Sequence, residues 1–526
     1  MVARRAEAIY YNGRVATFDS PKKTARAIAV SDGTIVAVGQ DADIRRSAPR
    51  GCDKVDLGGR LVIPGFTDSH THFIQMGVDS LSADLSSSRS LDEALAMMKS
   101  ASERTPDGEW VIGTGWMESR WEGGRFIRRE DLDRACPRHP AVAHRICGHL
   151  SSVNSKAIAA LDIDGNVPDV ETDASKRPTG VLRESAVGIV RAATAPDPKK
   201  RAKGLEAAIK KAHSLGVTSI QDNGCACDFA VYQQAEREGK LRVRVWFNVP
   251  SSELASLRAL NISTGLGSEM LKLGGLKVFC DGALGARTAA VSEPYEDDPG
   301  NKGMFVHGDA EFKEIVCCAN EAGIQLAIHA IGDSGIELAL SSISEALSGC
   351  RRRDHRHRIE HLELPSRRHI ARMRKLGVLA SMQPNFVGEW GGINGMYYSR
   401  LGASRAIRNN PFREVLDAGV KLVFGSDCMP FSPIYGIHSA VNAPHDSQRL
   451  SAAEAVGAYT RDAPSGSFEE GFKGRIRQGM AADFAVLSKD IFVDPERISE
   501  ARVLKTVLGG EIVYDATLAR TRKDAR

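Results

Sequence analysis

Two histidines one residue apart, His70 and His72, close an apolar stretch that runs through Val62-Ile63-Pro64-Gly65-Phe66. Side chains alternate along a strand, so an extended 66–72 would point both imidazoles to one side. Paired imidazoles at a strand end suit a divalent cation such as zinc. His-x-His alone is a weak signal. It gains weight because Lys277, His329, His361 and Asp427 each offer one more candidate ligand further along. Imidazole and carboxylate donors serve Zn, Fe, Mn and Ni alike, so the residue types select a metal site without selecting the metal.

For residues this far apart to meet, the chain must bring the ends of several strands to one place. From residue 199 onward a repeating pattern does this. A helical stretch ends in Gly and a strand start follows at once, as in Ser214-Leu215-Gly216-Val217, Glu321-Ala322-Gly323-Ile324, Lys375-Leu376-Gly377-Val378 and Asp417-Ala418-Gly419-Val420. Gly just past a helix, followed directly by a strand, is an α/β signature. Counting from His-x-His, eight strands are predicted: 66–72, 217–222, 242–249, 276–281, 325–329, 358–361, 378–383 and 422–427. Eight parallel strands with intervening helices form a (β/α)8 TIM-type barrel, whose core typically takes ~250 residues and whose catalytic groups sit at the C-terminal strand ends. Strand one then supplies His70 and His72, strand five His329, strand six His361 and strand eight Asp427, all to one mouth. Lys277 joins from strand four, on the face opposite Leu276 and Val278 and early in the strand as drawn.

Outside the barrel, β-like patterns near the start (8–17, 27–38, 55–63) and near the end (474–479, 483–487, 503–508, 511–514) predict one small β-sandwich built from both termini. The predicted division is 1–63 with 465–526 for that domain and 64–464 for the barrel, with an insertion after strand one over about 75–200.

Composition excludes several function classes. The 70 Lys and Arg against 66 Asp and Glu leave a net charge of +4, which marks neither a nucleic-acid nor a membrane surface. Apolar residues make up 42% and charged residues 26%, as in an ordinary soluble protein. No apolar run is long enough to span a membrane, no signal peptide is expected, and no Walker-type Gly-rich Lys motif is present. Cys225-Ala226-Cys227 and Cys317-Cys318 are too close together for a disulfide framework, which points to a reducing cytoplasm. The expected partner is a small-molecule substrate, with no nucleic acid, no membrane, and a homodimer as the assembly to consider.

With these residues in place, the chain resembles the amidohydrolase superfamily. The matching stretches are Pro64-Gly65-Phe66-Thr67-Asp68-Ser69-His70-Thr71-His72, Ile328-His329-Ala330, Ile359-Glu360-His361 and Gly425-Ser426-Asp427. Lys277-Val278-Phe279-Cys280-Asp281-Gly282, His329-Ala330-Ile331-Gly332-Asp333, Ser381-Met382-Gln383-Pro384 and Gly479-Met480-Ala481-Ala482-Asp483 are similar to the branch containing N-substituted formamide deformylase. That branch often carries a His shortly after Gln-Pro; this chain has Asn385-Phe386 there, and no role for that His is carried over. The resemblance implies metal-dependent hydrolysis of amide-type C–N bonds. It implies one or two divalent ions, zinc foremost, held by His70, His72, His329, His361 and Asp427. It also raises a carbamylated Lys277 bridging two metals, beside a single-metal site with Lys277 unmodified.

The expected chemistry is a metal-activated water, with Asp427 taking its proton and passing it to the leaving nitrogen, and His329 or a nearby donor helping to polarise the carbonyl. Trp116, His149 and Arg287 are the candidate substrate contacts, with Trp121, Gly148, Asn154, Ser155, Arg183 and Glu184 as further pocket candidates. Arg287 would hold a substrate carboxylate bidentately. Two other readings stay open: a deaminase or cyclic-amide hydrolase using the same metals, and a catalytically silent metal-binding regulatory protein.

Overall fold

The Gly-then-strand beat is realised in the backbone. Gly216, Gly323, Gly377 and Gly419 take left-handed φ of 77°, 74°, 75° and 73°, a conformation that ends a helix at little cost only without a Cβ. In the computed structural model, residues 6–20, 24–118, 121–122, 124–145 and 150–521 are described. The chain forms two compact units, one made of residues up to Phe73 together with those from Ile209 onward, the other Ile74–Ala208.

The first unit holds the barrel. Its strands are β1 (Phe66–Thr71), β2 (Val217–Asn223), β3 (Arg244–Pro250), β4 (Leu271–Phe279), β5 (Leu326–Ala330), β6 (Arg358–His361), β7 (Leu379–Met382) and β8 (Leu422–Phe424). They run in sequence order as one eight-stranded sheet, each neighbouring pair parallel. The N–H of Asp427 donates to the carbonyl of His70 at 2.8 Å, which ties the end of β8 back to β1 and nearly closes the ring. That approach depends on Gly425, where a Cβ would stand 2.3 Å from the backbone nitrogen of His70. β4 both starts and ends earlier than the sequence suggests, so Lys277 lies two residues from its end and at the rim rather than early in the strand.

Two further sheets of this unit come from both ends of the chain. One orders Thr34–Gly39, Ala27–Ser31, Ala8–Tyr11 and Asp53–Asp56; the other orders Glu511–Asp515, Val503–Leu508, Phe484–Leu487, Leu61–Pro64, Arg14–Ala16 and Thr24–Ala25. They bury a common core of Tyr10, Val15, Ile28, Val62, Phe484 and Val507 between them, as a sandwich does. The stretch 474–479, read as β-like, is turn instead, because Gly474 and Gly479 take φ of 94° and 88°.

The second unit is a six-stranded mixed sheet ordered Val170–Thr172, Pro178–Arg183, Leu150–Val153, Ala141–Arg145, Val111–Trp116 and Ala83–Asp84. Separate apolar clusters, around Met98, Trp116 and Leu132 and around Val142, Leu182 and Val190, form its core. Among the described residues no helix is long and apolar enough to cross a membrane. Cys225 and Cys227 form a disulfide across a single residue, a local link that the sequence reading did not assign.

Candidate metal centre

His70 lies near the end of β1 and His72 just beyond it. The Nδ1 of His72 is 2.8 Å from the carbonyl oxygen of Asn223 at the end of β2. A carbonyl only accepts, so Nδ1 carries the proton and the lone pair sits on Nε2, which faces Asp427 Oδ1 at 3.3 Å. His70 is arranged alike: Nδ1 donates to Glu360 Oε2 at 2.5 Å, and Nε2 lies 3.7 Å from Asp427 Oδ1 and 3.5 Å from Lys277 Nζ. His329 Nε2 donates to the carbonyl of Gly282 at 3.0 Å, leaving the lone pair on Nδ1. The His361 ring centres 4.7 Å from that of His70 and 4.5 Å from that of His329.

Backbone strain aims two of these groups. His361 takes φ 72° and Asp427 φ 52°, with Leu362 and Cys428 also left-handed. By strict alternation His361 would face away from Glu360, its neighbour on β6. The left-handed turn breaks the alternation and lets both residues serve the same mouth, a use of strain typical of functional sites.

The set fits a divalent cation. The donor atoms of His70, His72 and Asp427 all lie within 4.8 Å of one another. With zinc–ligand bonds of roughly 2.0–2.2 Å, two donors on one ion stand at most about 4.4 Å apart, so the 3.3 and 3.7 Å pairs suit a shared ion. His361 Nδ1 is buried with no hydrogen-bond partner, a polar atom left for something the polypeptide does not supply.

Electrostatics agree with the geometry. Burial pushes His70 down to about 4 and His329 down to about 3, and drives His361 well below its ordinary value, so these rings are neutral with lone pairs available at pH 7. Burial opposes charge on His72, yet the hydrogen bond and charge of Asp427 raise it. Burial would likewise raise Asp427, but His72, His70 and Lys277 hold it below the usual carboxylate value. Lys277 is brought down to about 8, first by burial.

Beneath the ligands lies a brace that sequence reasoning missed. Arg358, fully buried, donates to Glu360, Gln221, the Ser69 carbonyl and the Ser381 hydroxyl, the last at 3.0 Å. Burial alone would raise the Glu360 carboxyl, but Arg358 and His70 hold it well below its ordinary range. A signal existed: Arg358 and Glu360 are two apart on one strand, and charged residues at that spacing share its inward face. Asp281 was also missed as a brace. It accepts the N–H groups of Ala290, Ile331 and Gly332 at 2.9, 3.0 and 2.8 Å, so it ties the loops after β4 and β5 together.

The expected substrate contacts fare differently. Trp116 is fully buried in its own unit, stacked on Trp121 with its indole N–H on the Ala143 carbonyl at 3.0 Å, which makes it a core residue. Arg287 is at the barrel mouth, but its fork is taken by Asp297, with Nε–Oδ1 3.0 Å and Nη2–Oδ2 2.9 Å, a structural pair instead of an open carboxylate receptor. Asn154 caps the helix Ser155–Ala160, and Arg183 pairs with Glu171 at 3.3 Å. Gly148 and His149 lie outside the described residues.

The model of the amidohydrolase family matches residues 53–514. The amidohydrolase-family protein YtcJ of Bacillus subtilis is 32% identical over 97% of this chain and 99% of its own length. N-substituted formamide deformylase of Arthrobacter pascens is 27% identical over 96% and 98%. Among solved structures, a metal-dependent hydrolase from Pyrococcus furiosus superposes with a TM-score of 0.80 at 29% identity, covering 92% of this chain and 99% of that one. With a barrel-mouth cluster of imidazoles and a carboxylate suited to a cation, and with these relatives matching almost end to end, the chain belongs to the amidohydrolase family.

Proposed function

We propose that the protein hydrolyses a non-peptide amide C–N bond of a small molecule, with one or two divalent ions, zinc foremost, held by His70, His72, His329, His361, Asp427 and Lys277. The observation that carries this reading is Asp427, an ionised carboxylate 3.3 Å from His72 among neutral buried imidazoles. A bound cation supplies Lewis acidity, which acidifies water and polarises a carbonyl.

The residues of the chain do the rest. Asp427 accepts a proton from the attacking water as its oxygen bonds to the amide carbon. It returns that proton to the nitrogen as the C–N bond breaks, so amide and water become a carboxylic acid and an amine. His70 and His72 are held in one tautomer by Glu360 and the Asn223 carbonyl, which keeps their lone pairs aimed at the site. Lys277, brought down to about 8 by burial, has a free amine fraction able to add carbon dioxide with loss of a proton, and the resulting carbamate is an anionic ligand.

The test is a panel of neutral amides against metal-loaded protein, reading released acid, substituted amine and free ammonia separately. Equal amounts of acid and substituted amine are expected. Ammonia as the sole nitrogen product would replace this reading with deamination. Bound metal with no product from any amide would replace it with a silent binding role. A carbon NMR signal from isotopically labelled bicarbonate, lost in Lys277→Met, checks the carbamate.

A further inference from the structure

The metal centre opens onto an apolar strip that the proposed chemistry does not use. Phe279 is the last residue of β4, yet 42% of its surface is exposed. Its ring centres 5.0 Å from that of His329, and Lys277 Nζ stands 4.8 Å from its centroid, so it borders the ligand cluster directly. A single exposed apolar side chain is ordinary, whereas a contiguous apolar patch marks a binding surface.

A second piece extends the strip. Phe305 pairs antiparallel with Asp281, and the Val306 N–H donates to the Cys280 carbonyl at 3.0 Å. The pairing holds residues 304–306 alongside the backbone that follows Phe279, where Cys280 lies in a bend and Asp281 is fully buried. It therefore brings the exposed residues 304–306 next to the end of β4 that carries Phe279. Phe305 is 44% exposed, and its neighbours Met304 and Val306 are 58% and 49% exposed. The strip is also anchored: Met304 N–H donates to the Thr288 carbonyl at 3.1 Å, and Gly303, at φ 72°, sits where a Cβ would lie 1.9 Å from the Ala289 oxygen. Beyond the histidines the rings continue, with His361 stacked on Phe386 at 6.0 Å and Phe386 against Trp390 at 4.8 Å.

Charge points the same way. Arg287, the cation expected to hold a substrate carboxylate, is closed by Asp297, which Arg400 and Ser399 also bind. A substrate carboxylate near this strip would lose hydration without gaining that guanidinium, whereas an uncharged ring or alkyl chain would gain apolar contact.

We infer that Phe279 and Phe305 form a substrate subsite that selects an uncharged aromatic or aliphatic substituent next to the scissile amide. Turnover at this subsite rests on the amide chemistry proposed above; binding to it does not. The experiment compares two amides that share an acyl group, one N-phenethyl and one N-carboxymethyl, with wild-type, Phe279→Ala, Phe305→Ala and Arg287→Ala holoenzymes. Calorimetric binding of the N-phenethyl amide is measured alongside turnover. Wild type should favour the N-phenethyl amide, and each Phe variant should lower that preference in kcat/KM by at least about tenfold, the scale of a lost apolar contact. Arg287→Ala should leave the preference unchanged. If neither amide is turned over but the N-phenethyl amide binds wild type and weakens about tenfold in the Phe variants, the subsite stands and the amide chemistry falls. A preference for the carboxymethyl amide that Arg287→Ala abolishes would overturn the inference. So would Phe variants that fold by circular dichroism yet keep the wild-type ratio and the wild-type affinity.

Discussion

Replacing Glu360 by Gln tests the brace under the metal centre. The change keeps the side-chain shape but removes the negative charge that Arg358 and His70 share. Arg358 is fully buried, and Glu360 is its one acidic partner among the described residues. Its remaining acceptors are neutral: the Ser69 carbonyl, Gln221 and Ser381. Leaving a buried charge unpaired typically costs about 3–5 kcal/mol. That is a large share of the roughly 5–15 kcal/mol by which native domains are stable. The second effect falls on metal affinity, because His70 loses the carboxylate that fixes its tautomer, and loss of such a partner typically weakens metal binding about 10–100-fold. Urea unfolding of the metal-free protein reads the first effect, and competition with a chromophoric chelator reads the second. The double variant Arg358→Met with Glu360→Gln removes both charges and should recover part of the lost stability, since burial without charge carries no unpaired ion. If Glu360→Gln unfolds within about 1 kcal/mol of wild type and binds metal equally well, the brace has no energetic role. A double variant less stable than Glu360→Gln would show that the cost does not come from the unpaired Arg358.

Other consequences are as direct. Asp427→Asn should cut turnover by about 10²–10⁴-fold, the usual worth of a positioned proton acceptor, while the circular dichroism stays that of the wild type; unchanged kcat would remove Asp427 from the role. Gly425→Ala places a Cβ 2.3 Å from His70 N, so β8 must back away from β1. Overpacking of this kind costs about 1–3 kcal/mol, and weakened metal retention should accompany it, read by metal analysis after gel filtration. The pH dependence follows from the buried imidazoles. His70 titrates near 4 and His329 near 3 in the folded chain, against 6.5 as the ordinary value, so only the unfolded chain takes up these protons as pH falls below 6.5. Stability of the metal-free protein should therefore decline from pH 6.5 downward through about 4, and urea midpoints that stay flat across that window would contradict the assignment.

Local pattern accounts for much of what could be read in advance. His-x-His needs only the two-residue period of a strand, and Gly after a helix followed by a strand needs only the left-handed preference of glycine. These short-range rules are enough for the alternating α/β order, the eight strands, and the strand ends that carry His70, His72, His329, His361 and Asp427. Lys277 was visible by type, but its rim position required the true end of β4 at Phe279, the last residue paired with β5. The tertiary structure alone decided the rest, because those contacts join residues far apart along the chain. Glu360 meets His70 across 290 positions, and Asn223 meets His72 across 151. Gly425 matters only where β8 meets β1. Trp116 and Arg287 had the right chemistry for substrate contact, but packing gave one to a core and the other to Asp297. Periodicity reports which face a side chain takes on its own strand; which partner waits on that face is settled only when the ring of strands closes.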